Sequence, residues 1–226
     1  MKKGKLFVID SGSDGSGKAT QTELLHDRLL KEGFAVRKVD YPNYKSNSSA
    51  LVKMYLNGEF GENPEEINPY IASTFYAVDR CASFITEWKE FYEDGGIVLA
   101  DRYTTSNMIH QSVKIIDRSA RTTYLDWLYD LEFNKFQLPI PDQVFYLDVP
   151  VEVTIQLMKN RQNKIDNSNT KDIHESNLEY LRKCYINACE IANEYGWQRI
   201  SCTNSLSLRT IESIHNDIHN RILPYL

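Results

Sequence analysis

The sequence predicts a three-layer α/β sandwich, with a five-stranded, mainly parallel sheet flanked by helices. Three observations carry this. Short, continuous apolar runs such as LFVI, IVLA and VFYL read as strands covered on both faces. Amphipathic stretches long enough to form crossover helices separate them. Three runs end in aspartate (Asp10, Asp101 and Asp148), which gathers carboxylates at the edge where open α/β sheets bind ligands.

The strands are expected at residues 5–10, 35–40, 97–101, 143–148 and 197–202. Gly33 closes a first helix ending at Glu32, and Gly95-Gly96 stops a long helix spanning 68–92. On that long helix, Ile71, Phe75, Val78, Ala82 and Ile85 form one apolar stripe and are the expected core face. Pro150 suits the first turn of the next helix. Residues 160–171, NRQNKIDNSNTK, are polar, rich in Asn and without apolar periodicity, as expected of a short mobile lid over about 160–175. A last long helix, 177–195, carries Leu178, Leu181, Tyr185 and Ala188 on one side.

Composition narrows the function classes. With 226 residues, 42% apolar and 25% charged, the chain reads as one globular domain over 1–226. A formal net charge of −5 argues against a nucleic-acid partner, because neutralising a phosphate backbone needs excess Lys and Arg. The cysteines Cys81, Cys184, Cys189 and Cys202 form no CxxC pair and are expected to be reduced, largely buried thiols. The first apolar run is too short for a signal peptide or a membrane span, so no membrane partner and a cytoplasmic location are expected.

The strongest local signal is GSDGSGK at residues 12–18, directly after the first strand and before the first helix. This is the GxxxxGK phosphate-binding loop in the context it requires. Backbone amides of Gly12, Ser13, Asp14, Gly15, Ser16 and Gly17 can surround an anion, and the helix N-terminus adds partial positive charge. Lys18 would reach the terminal phosphates of ATP. The residue after the lysine is usually Ser or Thr, a magnesium ligand, and here it is Ala19. Thr20, about 100° further round the helix, suits a phosphate contact instead. Mg²⁺ would then rest on carboxylates, water and nucleotide oxygens, with Asp14 the nearest carboxylate.

Four motifs in order resemble the thymidylate kinase family of P-loop nucleoside monophosphate kinases. They are SGSDGSGKATQ, LADRYTTSN, PDQVFYLDVPVE, and the acidic pair Asp172 and Glu175 after the lid. The resemblance implies in-line transfer of the γ-phosphate of ATP to dTMP. It implies that Arg102 clamps the acceptor phosphate and that Asp101 orients that arginine or a magnesium-bound water. It further implies that Asn107 reads the thymine edge, that Tyr76 stacks on the base and that Arg80 bonds a base carbonyl. By pattern alone, Tyr76 and Arg80 would be an exposed pair on a face of their own. The family also implies a homodimer through helices beside the sheet.

The phosphate-binding loop holds no basic residue besides Lys18, whereas the lid carries Arg161, Lys164 and Lys171. Family members supply a transition-state arginine from one or the other, which makes Arg161 the expected donor; a solvated basic loop is the plainer alternative. Asp172 and Glu175 are expected to help hold magnesium, or only to cap the following helix. Three positions depart from the family pattern: Ser11 stands for Glu, Asn43 for an acceptor-contacting Arg, and His110 for Tyr. Lys45 is near enough in sequence to replace that arginine as a point charge. His26, His174, His215 and His219 show no partner spacing and are expected at surface or cap positions. The alternatives to dTMP phosphorylation are a deoxynucleoside kinase and a non-catalytic nucleotide-binding protein.

Overall fold

A computed structural model describes residues 3–158, 173–204 and 207–226, with the side chains of residues 175 and 176 outside that description. Strands β1 (Lys5–Ser11), β2 (Val36–Asp40), β3 (Ile97–Asp101), β4 (Gln143–Asp148) and β5 (Gln198–Ser201) lie within about one residue of the expected segments. They form one sheet in the order β2-β3-β1-β4-β5, and every neighbouring pair is parallel. The inner strands β1, β3 and β4 are buried almost throughout, and the edge strands β2 and β5 alternate, as strand position demands.

Alternate residues of each inner strand feed opposite layers. Phe7, Ile9, Leu99, Phe145 and Leu147 pack against Leu25 and Leu29 of α1 (Lys18–Lys31) and Ile214, Ile218 and Ile222 of α10 (Ile211–Ile222). Leu6, Val8, Val98 and Val144 pack against Phe84, Trp88 and Tyr92 on the other side. This is the three-layer sandwich. A two-stranded antiparallel ribbon, β6 (Thr203–Asn204) with β7 (Ser207–Leu208), follows β5. Asp148 at the end of β4 is taken by Arg199, 2.8 Å away, and by the Tyr185 hydroxyl at 3.0 Å.

The long helix departs from expectation in two ways. It divides into α3 (Pro69–Ser83), a wide turn with i→i+5 hydrogen bonding at Phe84–Trp88, and α4 (Lys89–Glu93). Of the stripe expected in the core, Ile71, Val78 and Ile85 face solvent, 53%, 44% and 62% exposed, while Ala82 is half-buried and Phe75, also half-buried, packs against the cluster around Tyr55 and Ala72. The inward face carries Ala72, Ser73, Ala77, Asp79, Arg80 and Ser83. Its polar groups are paired. Asp79 accepts from the Asn43 amide at 2.8 Å and the Ser48 hydroxyl at 2.6 Å, and Ser73 bonds the Tyr124 hydroxyl at 2.6 Å. Those partners come from distant segments, so a periodicity that scores apolarity alone selects the wrong face.

The remaining helices are α2 (Ala50–Leu56), α5 (Thr104–His110), α6 (Arg118–Tyr129), α7 (Val151–Met158), α8 (Ile173–Ser176) and α9 (Leu178–Glu194). On α9, Leu181 and Ala188 are buried as expected, while Leu178 is 44% exposed. Pro150 lies just ahead of α7, its carbonyl accepting from the amides of Val153 and Thr154. All four cysteines are free thiols; Cys184 and Cys202 are buried and the other two half-buried. Among the described residues, no helix is long and apolar enough to cross a membrane.

Candidate active site

The loop between β1 and α1 is built on two left-handed glycines, Gly15 (φ 74°) and Gly17 (φ 87°). A Cβ on Gly15 would stand 2.6 Å from Met158 Cγ, so that position is closed to a side chain twice over. A Cβ on Gly12 would stand 2.9 Å from Tyr185 Cα of α9, and Ser13 Oγ donates to Thr154 Oγ1 at 3.1 Å. Gly17 is exposed at the N-cap of α1, and Ala19 and Thr20 are exposed on its first turn. Ser11 is the hub of the loop. Its hydroxyl donates to the Ser13 carbonyl at 2.7 Å and accepts from Ser16 Oγ and Lys18 Nζ, each at 2.7 Å. One donor and two lone pairs are all used, which gives the serine at this departing position a defined role.

Lys18 Nζ also donates to the Ser13 carbonyl at 2.9 Å and is almost fully buried. Burial lowers its pKa to about 7, the Arg102 charge adding to that and Asp14 opposing it. An approaching polyanion would favour the amine's charged form.

Arg102 follows β3 in a left-handed conformation (φ 68°) that a non-glycine residue adopts at a cost of about 1–3 kcal/mol. The twist brings its guanidinium over the loop, where Nη2 donates to Asp14 Oδ1 at 2.8 Å. Nη1 donates to Ser106 Oγ and His110 Nε2, both at 3.3 Å, and Asp10 Oδ1 lies 3.8 Å away. Burial works against its charge, but Asp14, Asp10 and Asp101 outweigh it and hold the guanidinium protonated. Because Nη1 only donates, His110 Nε2 accepts and the ring carries its proton at Nδ1. Burial, then Arg102, push the His110 pKa well below the ordinary value. Asp10 is fully buried and accepts from Ser11 N (2.8 Å), Thr105 Oγ1 (2.6 Å) and Ser106 Oγ (2.8 Å).

Beside this arrangement lies a cavity of about 520 Å³. Asp14, Ala19, Asp101 and Arg102 line it, and so do Lys45, Tyr76, Arg80 and Asn107. Every acceptor residue expected from the sequence therefore meets in one place. Tyr76 packs edge-on against Tyr55 at 6.2 Å. Asn107 is buried, and its Nδ2 donates to the Ser73 carbonyl at 3.2 Å. Lys45 is exposed at the cavity wall. Arg80 is not the exposed residue its pattern suggested. It is 1% exposed and forms a two-pronged ion pair with Glu132, Nε–Oε2 2.7 Å and Nη2–Oε1 2.5 Å. Burial opposes its charge, and Glu132 outweighs burial. Asn43 is likewise engaged, its Nδ2 donating to Glu87 Oε1 at 2.8 Å.

Asp10, at the strand edge expected to bind ligand, and His110, at the family's tyrosine position, lie in the site, and Glu132 and His174 are parts of it that sequence reasoning did not assign. His174, expected at the surface, lines the cavity and bonds the Tyr55 hydroxyl at 2.8 Å, with its ring 6.0 Å from that of His110. Burial first, then Lys114, lowers its pKa to about 3. His215 and His219 are buried on α10, where His219 bonds Glu32 at 2.9 Å. Arg161 and Asp172 lie outside the described residues, as does the Glu175 side chain.

A family model for thymidylate kinase matches residues 11–218 of the chain. The chain belongs to the thymidylate kinase family. It is 30% identical over 221 residues to the thymidylate kinase of Fervidobacterium nodosum, covering 98% of this chain and 100% of that one. It is also 30% identical over 217 residues to the thymidylate kinase of Plasmodium falciparum, covering 96% and 89%. Among solved structures, thymidylate kinase from Candida albicans matches with a TM-score of 0.71 at 17% identity, over 99% of this chain and 92% of that one. The Ehrlichia chaffeensis thymidylate kinase matches with a TM-score of 0.68 at 18% identity, over 97% and 99%. The thymidylate kinase loop keeps its glycines, lysine and aspartate here, and the departures at Ser11, Asn43 and His110 each have identified bonding partners.

Proposed function

We propose that the chain transfers the γ-phosphate of ATP directly to dTMP, giving dTDP for deoxynucleotide synthesis. The observation that carries this is the bond from Arg102 to Asp14. It ties the strand edge facing the acceptor cavity to the loop that cradles the donor phosphates. Phosphoryl transfer asks mainly for two phosphates held in line and for charge around the moving group. Residues 12–20 would cradle ATP, and Lys18 would leave its serine and carbonyl partners for the terminal phosphates. Arg102, already anchored by Asp14 and Asp10, would hold the acceptor phosphate, helped by Lys45. Tyr76, Asn107 and Arg80 would grip the base, and Arg161 would complete the charge from the lid.

Mg²⁺ is the expected cofactor. Asp14 and Asp101 present hard carboxylate oxygens at the cavity, a donor type that suits an ion which keeps waters and takes nucleotide oxygens; Asp172 and Glu175 would add to them. When bound, magnesium would neutralise the phosphate charge.

We place the protein in the cytoplasm as a single domain acting as a homodimer. The exposed stripe Ile71, Val78 and Ile85 on and just beyond α3 is the contact surface that fits. Light scattering is expected to give a dimer for the wild type and a monomer for Val78→Glu; a wild-type monomer would contradict this.

ADP release from ATP and Mg²⁺ across a panel of nucleosides and monophosphates tests the reading. Turnover that depends on dTMP is expected. Turnover with thymidine alone, or ATP binding without turnover, would contradict it.

A further inference from the structure

We propose that Glu132 is a positioning residue for recognition of the acceptor base, locking the Arg80 guanidinium so that one fixed donor edge serves the cavity. The inference deepens the acceptor reading above and rests on it. Glu132 is fully buried in a stretch, Asp130–Lys135, where the helix continuing from α6 widens to i→i+5 turns. Such turns re-aim a side chain within a helix and gather at functional sites. Its carboxylate receives three donors, Arg80 Nε at 2.7 Å, Arg80 Nη2 at 2.5 Å and Thr104 Oγ1 at 2.7 Å. A planar fork bound at two points cannot rotate, and Nη1 is the guanidinium nitrogen that Glu132 does not take.

The neighbouring reader is fixed by the same kind of logic. The Ser73 carbonyl can only accept, so the Asn107 atom facing it is the amide nitrogen, and Oδ1 remains the acceptor. Arg80 and Asn107 both line the cavity. A donor from one and an acceptor from the other match a base edge that sets a carbonyl beside an N–H, the imide edge of a thymine-type base. They mismatch a base whose edge sets an amino group beside a bare ring nitrogen. A buried ion pair is about as stable as a well-packed apolar pair, so stability alone gives no reason for charge at this depth. An oriented donor beneath the base does.

The test is steady-state kinetics and melting of the wild type, Glu132→Gln, Thr104→Val, Arg80→Lys and the double variant Arg80→Lys with Glu132→Gln. Glu132→Gln should raise KM for dTMP about tenfold or more. Its kcat and KM for ATP should stay within about twofold, and its preference for dTMP over dCMP should narrow. Thr104→Val should act in the same direction and less. In the Arg80→Lys background, Glu132→Gln should add less than about twofold, because no planar fork remains to be oriented. A lower melting temperature with unchanged dTMP KM and unchanged dTMP-to-dCMP preference would overturn the proposal, as would an equal effect in the Arg80→Lys background. If Glu132→Gln does not fold, Thr104→Val decides, and an unchanged dTMP KM there overturns it. Wild-type turnover with dTMP separates the two readings: without it the acceptor assignment itself falls, whereas turnover with an inert Glu132→Gln sinks only this inference.

Discussion

The donor side and the acceptor side of the cavity are made differently. The phosphate loop is knit within itself by bonds between residues at most seven apart, Ser11 with Ser13, Ser16 and Lys18, and is tied to the rest of the fold through Ser13 to Thr154 and Asp14 to Arg102. The acceptor wall is held by pairs remote in sequence: Asn107 with Ser73, 34 residues away, Asn43 with Asp79, 36 away, and Arg80 with Glu132, 52 away. A loop whose hub bonds are local needs few distant partners to keep its shape. A wall of distant partners exists only when the whole sheet is assembled. Damage on the donor side should therefore spare the fold and stop the chemistry, and damage on the acceptor side should reach both.

The largest effects are expected at the junction of the two. Lys18→Ala and Arg102→Ala should each lower kcat by about a thousandfold or more, as removing a fixed charge from a dry site does. ADP release with saturating ATP and dTMP measures this, and near-normal turnover in either variant would remove that residue from the transfer step. Next in size is Arg80→Met, which should cost about 3–5 kcal/mol of stability in chemical unfolding by stranding the Glu132 carboxylate. Adding Glu132→Leu should return most of that stability without restoring the KM for dTMP. Recovery of both together would reduce the pair to packing. A smaller change is expected at the cavity wall, where Lys45→Ala should raise KM for dTMP about tenfold and leave KM for ATP alone. A rise in KM for ATP instead would move Lys45 to the donor side.

The smallest signal is a proton. With Lys18 at about 7, the folded protein carries this amine largely neutral at pH 8. Phosphates favour the charged form, so ATP binding should take up close to one proton at pH 8 and almost none at pH 6. Calorimetry in buffers of different ionisation enthalpy reads this uptake, and it should vanish in Lys18→Ala. The same depressed pKa makes stability rise with pH between about 7 and 10.5, the window in which the unfolded lysine holds a proton and the folded one does not. Uptake that persists without Lys18 would assign the proton elsewhere.

The same contrast explains what the sequence could disclose. The strands, their Asp ends and the GSDGSGK loop are short-range features, and continuous apolar runs beside a glycine-rich turn disclose them. The inward face of α3 could not be seen. Ile71, Val78 and Ile85 are the more apolar set, but Asp79, Arg80 and Ser83 are buried because Asn43, Ser48, Glu132 and Tyr41 arrive from elsewhere to pair with them. Glu132 itself carries no local mark, since an acid on a helix is ordinary until its partner is known. His174 misled for the same reason, because the Tyr55 hydroxyl it bonds lies 119 residues away.

On the function proposed, the loop at residues 12–18 and Arg102 hold two phosphates of two different nucleotides in line across one cavity. A single inhibitor in which adenosine and thymidine are joined by a polyphosphate long enough to span both sites tests it directly. Inhibition competitive with ATP and also with dTMP is expected, lost together in Arg102→Ala. Inhibition competitive with ATP alone would contradict it.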